Sequence, residues 1–184
     1  MRADVPLMRT YLHSSAVPAV LLGDLVSESI AAELRDRVRP GLRPYWLADR
    51  GRYHLDEALR EPELFASLVE LASDIVETPL TVARARWVRM AHGDYALVKD
   101  DARRWASLTR HVEVVVDLSA AQSDDAQIVY SGPGGAFLIP QQPLGGAVVD
   151  RRQPLSRYDR YLTHRVGDAE VFRLSLILEA SSSR

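Results

Sequence analysis

The spacing of apolar residues divides the chain into two textures. Between Ser27 and Val38, "SESIAAELRDRV" places Ile30, Leu34 and Val38 four apart, which predicts an amphipathic helix with Ser27 as N-cap and "RPG" as its stop. Behind Pro62, the residues Leu64, Phe65, Leu68, Leu71, Ala72, Ile75 and Val76 repeat at the helical period, and Pro79 lies beyond the end. This predicts a second helix. After Pro79 the helical period gives way to short β-like runs: "LTVARARWVRMA", "YALV", "HVEVVVDL", "AQIVY", "GAFLI", "GAVVD", "RYLTHRV" and "EVFRLSLIL". Gly, Pro and Asp clusters separate them. Two helices followed by a series of short strands predict an α+β fold, an antiparallel sandwich or barrel with helices packed on one side.

Composition narrows this picture. The chain has 184 residues, 47% of them hydrophobic, enough for one domain with a sizeable core. A formal net charge of -2 gives no global pull toward nucleic acid or anionic membrane, so neither is expected as a partner. The absence of Cys excludes disulfides, thiolate metal sites and a Cys nucleophile. The first fifteen residues hold no apolar signal-like core, and no run nears the roughly 18 apolar residues needed to span a bilayer. A cytoplasmic protein is the expectation.

Several residues carry candidate chemistry. Lys99 is the one lysine among 23 Lys plus Arg, and it precedes Asp100 and Asp101. It is either half of an ion pair on a solvated strand end or a functional amine, since a compact ammonium can shift its pKa and lose a proton where Arg cannot. In "EVFRLSLIL", alternation sets Phe172, Leu174, Leu176 and Leu178 on one face and Arg173, Ser175 and Ile177 on the other. An inward guanidinium needs a carboxylate. That carboxylate belongs to a ligand, or to an internal acid such as Asp117 or Glu113, which share a strand face with His111. The segment "DRRQPLSRYDRYLTHR" gathers Arg151, Arg152, Arg157, Arg160 and Arg165 with Tyr158 and Tyr161. It reads as a solvated loop, or as a lid that draws an anionic small-molecule substrate or an acidic carrier protein.

Taken together, "RWVRMAHGDYALVKDD", "RHVEVVVDLS", "LIPQQPLGGAVVD" and "YLTHRVGDAEVFRLSLILE" resemble the double-stranded β-helix (jelly-roll) core of the iron(II) and 2-oxoglutarate dependent oxygenases, the superfamily that includes the prolyl hydroxylases. The likeness covers residues 81–179, and it implies that residues 1–80 are a helical N-terminal buttress within a single domain. In that family a Gly-Asp-aromatic strand leads into a His-x-Asp pair, a later strand supplies a second His, and an Arg, often in Arg-x-Ser, holds the far carboxylate of 2-oxoglutarate. The resemblance places His164 at the second His and Arg173 and Ser175 at the cosubstrate. The departure is at the first His: aligned on "GDY", that position is Lys99, and the family's Asp is Asp101. A protonated Lys is a poor iron ligand, so this register leaves Asp101 and His164 as metal ligands. A second register reads "HGD" as His-x-Asp, giving His92, Asp94 and His164.

Three functions follow from the resemblance. One is an oxygenase that uses iron(II) and 2-oxoglutarate to hydroxylate or desaturate a small, carboxylate-bearing metabolite. Another is a metal-independent cyclase, isomerase or lyase that uses Lys99, Asp101 and His164 as acid and base groups. The last is a non-catalytic small-molecule binding protein.

Overall fold

The computed structural model describes residues 4–14, 17–46, 52–97, 111–153 and 155–181. In chain order these form α1 (Val5–Ser14), β1 (Ala19–Leu22), α2 (Glu28–Val38), β2 (Arg43–Trp46), β3 (Arg52–Asp56), α3 (Pro62–Val76), β4 (Leu80–Met90), β5 (His111–Asp117), β6 (Ile128–Gly132), β7 (Gly135–Ile139), β8 (Gly146–Arg151), β9 (Ser156–Asp159) and β10 (Val171–Ala180). None of the described helices is long and apolar enough to cross a membrane.

Both expected helices form where the pattern puts them. The Ser27 hydroxyl accepts a hydrogen bond from the Ile30 amide at 3.3 Å, capping α2. The buried stripe of α2 is Ala31, Leu34 and Val38, however, and Ile30 is 48% exposed. Steps of three and four residues keep to one face of a 3.6-residue helix, whereas two steps of four drift off it. Helix α3 buries Phe65, Leu68, Ala72, Ile75 and Val76 and ends at Glu77, whose left-handed conformation closes the last turn. The N-terminal region also contains α1 and the three short strands β1 to β3, which the pattern did not announce.

The strands form two antiparallel sheets. The larger has seven strands in the order β1-β8-β5-β10-β4-β3-β2, and the smaller has three in the order β7-β6-β9. Period-2 alternation gives the large sheet two different faces. Phe172, Leu174, Leu176 and Leu178 of β10, with Val112, Val114 and Val116 of β5, join Leu34, Phe65, Leu68 and Ile75 of the helices in one apolar cluster. On the opposite face, Val115, Ala147 and Val149 meet Ile128, Tyr130 and Ile139 of the small sheet.

The α+β class and the helices on one side are as expected, but the described strands do not close into a barrel. A backbone bridge from Ala96 to Asp159, continued by hydrogen bonds between Leu162 and the Gly93–Asp94 turn, links the sheets' neighbourhoods on one side. At the other side β1 and β7 end their sheets, and Leu21 and Leu138 each stay 50% exposed in the gap between them. The run "RYLTHRV" is not a strand either: β9 ends at Asp159, and His164–Val166 is a turn of 3-10 helix. Leu162 and Val166 are buried while His164 between them is exposed. A strand would put all three on one face.

Candidate active site

The face of the large sheet that looks toward the small sheet changes from apolar to charged along its length. On β5 this face carries His111, Glu113, Val115 and Asp117, and on β10 it carries Arg173 and Ser175. All six are buried. Arg151 of β8 and Arg157 and Asp159 of β9 are buried as well.

Glu113 is the hub of this charged region. Its Oε2 accepts from the Tyr130 hydroxyl at 3.0 Å and from Arg151 Nη1 at 2.9 Å, and its Oε1 lies 3.1 Å from Arg157 Nη1. Burial alone would push the Glu113 carboxyl up, but Arg157, Arg151, Arg86 and His111 outweigh it and hold the pKa at about 2. The Tyr130 hydroxyl is pushed up by burial and by the neighbouring Glu113 carboxylate, so it stays protonated and donates. Arg151 also spans to the Leu155 carbonyl at 2.7 Å and lies over the Tyr130 ring.

Asp159 is the second anion of the region. Arg173 Nη1 donates to it at 2.7 Å, and Arg157 Nη2 lies 3.3 Å from its other oxygen. The remaining Nη of Arg173 donates to the Ala126 carbonyl at 2.6 Å. The inward guanidinium therefore has an internal acid, and that acid is Asp159 rather than Asp117 or Glu113. Asp117 sits opposite Arg173 in the ladder, but its two oxygens accept the Ser119 and Gln142 amides at 2.9 and 3.0 Å. Arg86 is the ladder neighbour of Ser175 on the other side. Burial, and then the charge of Arg157, pull its guanidinium below the ordinary value.

Of the residues expected at the metal, His92, Asp94 and His164 are described. Lys99 and Asp101 lie outside the described residues. His92 is exposed on a turn where Gly93 takes a left-handed φ of 86°. The Asp94 carboxylate accepts the Ala91 amide at 2.9 Å, so it caps that turn. His164 is exposed on its 3-10 turn, which the Thr163 side chain caps. No three His, Asp or Glu side chains among the described residues could hold a metal ion together. The described residues therefore do not by themselves complete an iron centre, and of the Lys99 register they include His164 alone.

The cosubstrate end fits better. The Ser175 hydroxyl is fully buried and its oxygen has no hydrogen-bond partner among the described residues. An orphaned hydroxyl beside a guanidinium on the same strand face is a donor pair suited to a carboxylate. Arg173 and Ser175 were legible from strand alternation. Arg86, Tyr130 and Asp159 were not, and Arg151 and Arg157, expected in a solvated loop or lid, are buried ion-pair members.

No family model and no curated protein matches the sequence. Solved structures do match the fold. A prolyl-4-hydroxylase from Pseudomonas putida is 15% identical with a TM-score of 0.66, covering 97% of this chain and 100% of its own. The epimerase SnoN of nogalamycin biosynthesis, described as non-heme and alpha-ketoglutarate dependent, is 9% identical with a TM-score of 0.72, covering 98% of this chain and 84% of its own. HygX from Streptomyces hygroscopicus, crystallised with nickel, 2-oxoglutarate and hygromycin B, is 12% identical with a TM-score of 0.68, covering 95% and 87%. The chain has the fold of the 2-oxoglutarate and iron(II) oxygenase superfamily.

Proposed function

We propose that this chain is a 2-oxoglutarate-oxygenase-like enzyme that takes a small, carboxylate-bearing molecule between its two sheets and oxidises it, with a metal site altered at Lys99. The observation that carries the reading is the placement of Arg173 and Ser175. In a chain that shares the oxygenase fold over nearly its whole length, both residues lie on the sheet face that looks toward the small sheet, and the Ser175 hydroxyl is buried without a partner among the described residues. Arg86, Arg151 and Arg157 are buried in the same charged region, where guanidinium groups outnumber the carboxylates Glu113 and Asp159 that pair with them, which favours an anionic ligand. When bound, iron would supply the oxidising chemistry. The chain's own part is to orient the carboxylate through Arg173 and Ser175 and to exclude water with the residues of the two facing sheets.

Asp101 and His164 are the metal ligands this reading uses. Arg160 and Arg165, both exposed on the segment after β9, would attract an anionic substrate or an acidic carrier. The test is product formation: protein supplied with iron(II), oxygen and 2-oxoglutarate should release succinate, and Asp101→Ala should abolish the release. Succinate at the background level of a protein-free control in every condition would end the oxygenase reading.

A second reading is favoured by the pairing of Arg173 with Asp159 and by the exposure of His92 and His164. In it, the fold works without metal, and Lys99, Asp101 and His164 act as acid and base groups in a cyclisation, isomerisation or elimination. The epimerase among the matching structures is compatible with chemistry other than hydroxylation on this fold, though its own description makes it alpha-ketoglutarate dependent.

A further inference from the structure

The Arg173 guanidinium that the proposed function offers to a ligand carboxylate already holds one that belongs to the chain. We propose that Asp159 is a built-in competitor for that position, and that a carboxylate ligand gains Arg173 only by displacing Asp159 onto Arg157. This rests on the carboxylate site proposed above, and it adds a residue that sets the site's affinity.

Three features carry it. First, Asp159 is shared: Arg173 Nη1 is 2.7 Å from Oδ1, and Arg157 Nη2 is 3.3 Å from Oδ2. An Asp159 that lets go of Arg173 is still paired with a buried cation, so its release does not strand an anion between the sheets. Second, the site is incomplete with Asp159 in place. Ser175 stands two residues from Arg173 on the same strand face, fully buried, with no acceptor or donor for its hydroxyl among the described residues, and a ligand carboxylate at Arg173 would provide one. Third, Asp159 is the last residue of the edge strand β9. Its backbone is paired with Ile128 of β6 on one side and makes reciprocal hydrogen bonds with Ala96, each at 3.2 Å, on the other. The Ala96 contact is a bridge rather than a ladder, so fewer backbone bonds oppose a turn of Asp159 from Arg173 toward Arg157 than oppose a shift of the central strands.

Isothermal titration of metal-free protein with succinate and with 2-oxoglutarate tests the displacement. Asp159→Asn keeps the side-chain shape and removes the competing charge. It is expected to bind both ligands about tenfold more tightly than wild type, even though the variant itself is less stable. A purely structural Asp159 would lose stability and affinity together, so equal or weaker binding by folded Asp159→Asn overturns the proposal. A second arm uses the wild type: at saturating succinate, the Ala96 and Asp159 amides should exchange with deuterium several-fold faster as their mutual bridge loosens. Unchanged or slower exchange contradicts the displacement. Tighter binding by Asp159→Asn without turnover in any form of the protein would leave the displacement standing and remove the oxygenase reading. Turnover by wild type without tighter binding in the variant would do the reverse.

Discussion

Glu113→Gln is expected to be among the most damaging single substitutions in the chain, costing about 3–5 kcal/mol of the roughly 5–15 kcal/mol that holds a domain together. Replacing the carboxylate by an amide leaves Tyr130 an acceptor. It also takes from Arg151 and Arg157, at 4% and 2% exposure, the anion that they share, while Arg157 keeps Asp159 and Arg151 keeps the Leu155 carbonyl. The cost comes from the excess of buried positive charge that results, more than from the net worth of the intact pair, which is close to zero because desolvation offsets attraction. Urea denaturation should show the midpoint fall with little change in slope. Arg37→Ala, which breaks the pairs with Glu33 and Glu61 on the surface, should shift the midpoint far less.

The same carboxylate predicts an acid limb. Its folded pKa of about 2 lies below the ordinary 4.5, so the stability it contributes is fully present above pH 4.5 and is lost as pH falls through about 2. Wild type should lose stability across that window. Glu113→Gln should show a flatter limb there, because the proton uptake on unfolding has been removed. A variant limb as steep as that of the wild type would mean that other carboxylates carry the acid transition.

Arg173→Lys carries the second large effect, and it separates fork from charge. Lysine keeps the cation but cannot hold Asp159 and the Ala126 carbonyl at once in a planar geometry. Losing a charged hydrogen bond of this kind costs about 1.5–3 kcal/mol, and the variant's urea midpoint should fall accordingly. Binding of 2-oxoglutarate or succinate should weaken roughly 100-fold, since the directed, charged contact that the ligand carboxylate takes over from Asp159 goes with the fork. Affinity equal to wild type by titration calorimetry would show that the carboxylate is held elsewhere, with Arg86 and Arg151 the guanidinium groups to examine next.

How much of this was legible in the sequence depends on whether a residue's partner is near it in the chain. Helix α3 and strand β10 are readable because their periodicity is local: Phe172, Leu174, Leu176 and Leu178 bury against the helices, and alternation alone turns Arg173 and Ser175 to the other side. Strand β9 is the opposite case. Its inward residues are Arg157 and Asp159, two charges that read as solvated. Glu113 and Arg173, 44 and 14 residues away in sequence, help make their burial tolerable. Arg86 hides in the same way among the alternating arginines of "VARARWVRM". The error at "RYLTHRV" has a local cause: Leu162 and Val166 are four apart, a spacing that a short helical turn also satisfies, and Thr163 supplies the cap. Of the expected metal ligands, Lys99 and Asp101 fall outside the described residues, while His92 and His164 stand exposed on turns.

Binding of 2-oxoglutarate together with iron at this site, despite a lysine at a ligand position, is tested most directly by anaerobic titration of metal-free protein with iron(II) and 2-oxoglutarate, followed through the weak visible charge-transfer band of the chelate. Wild type should give a band that survives His92→Ala, because iron held by Asp101 and His164 does not use that ring, and that disappears in Asp101→Ala and His164→Ala. No band in wild type at saturating iron and 2-oxoglutarate would contradict it and turn the search for a substrate to non-redox chemistry.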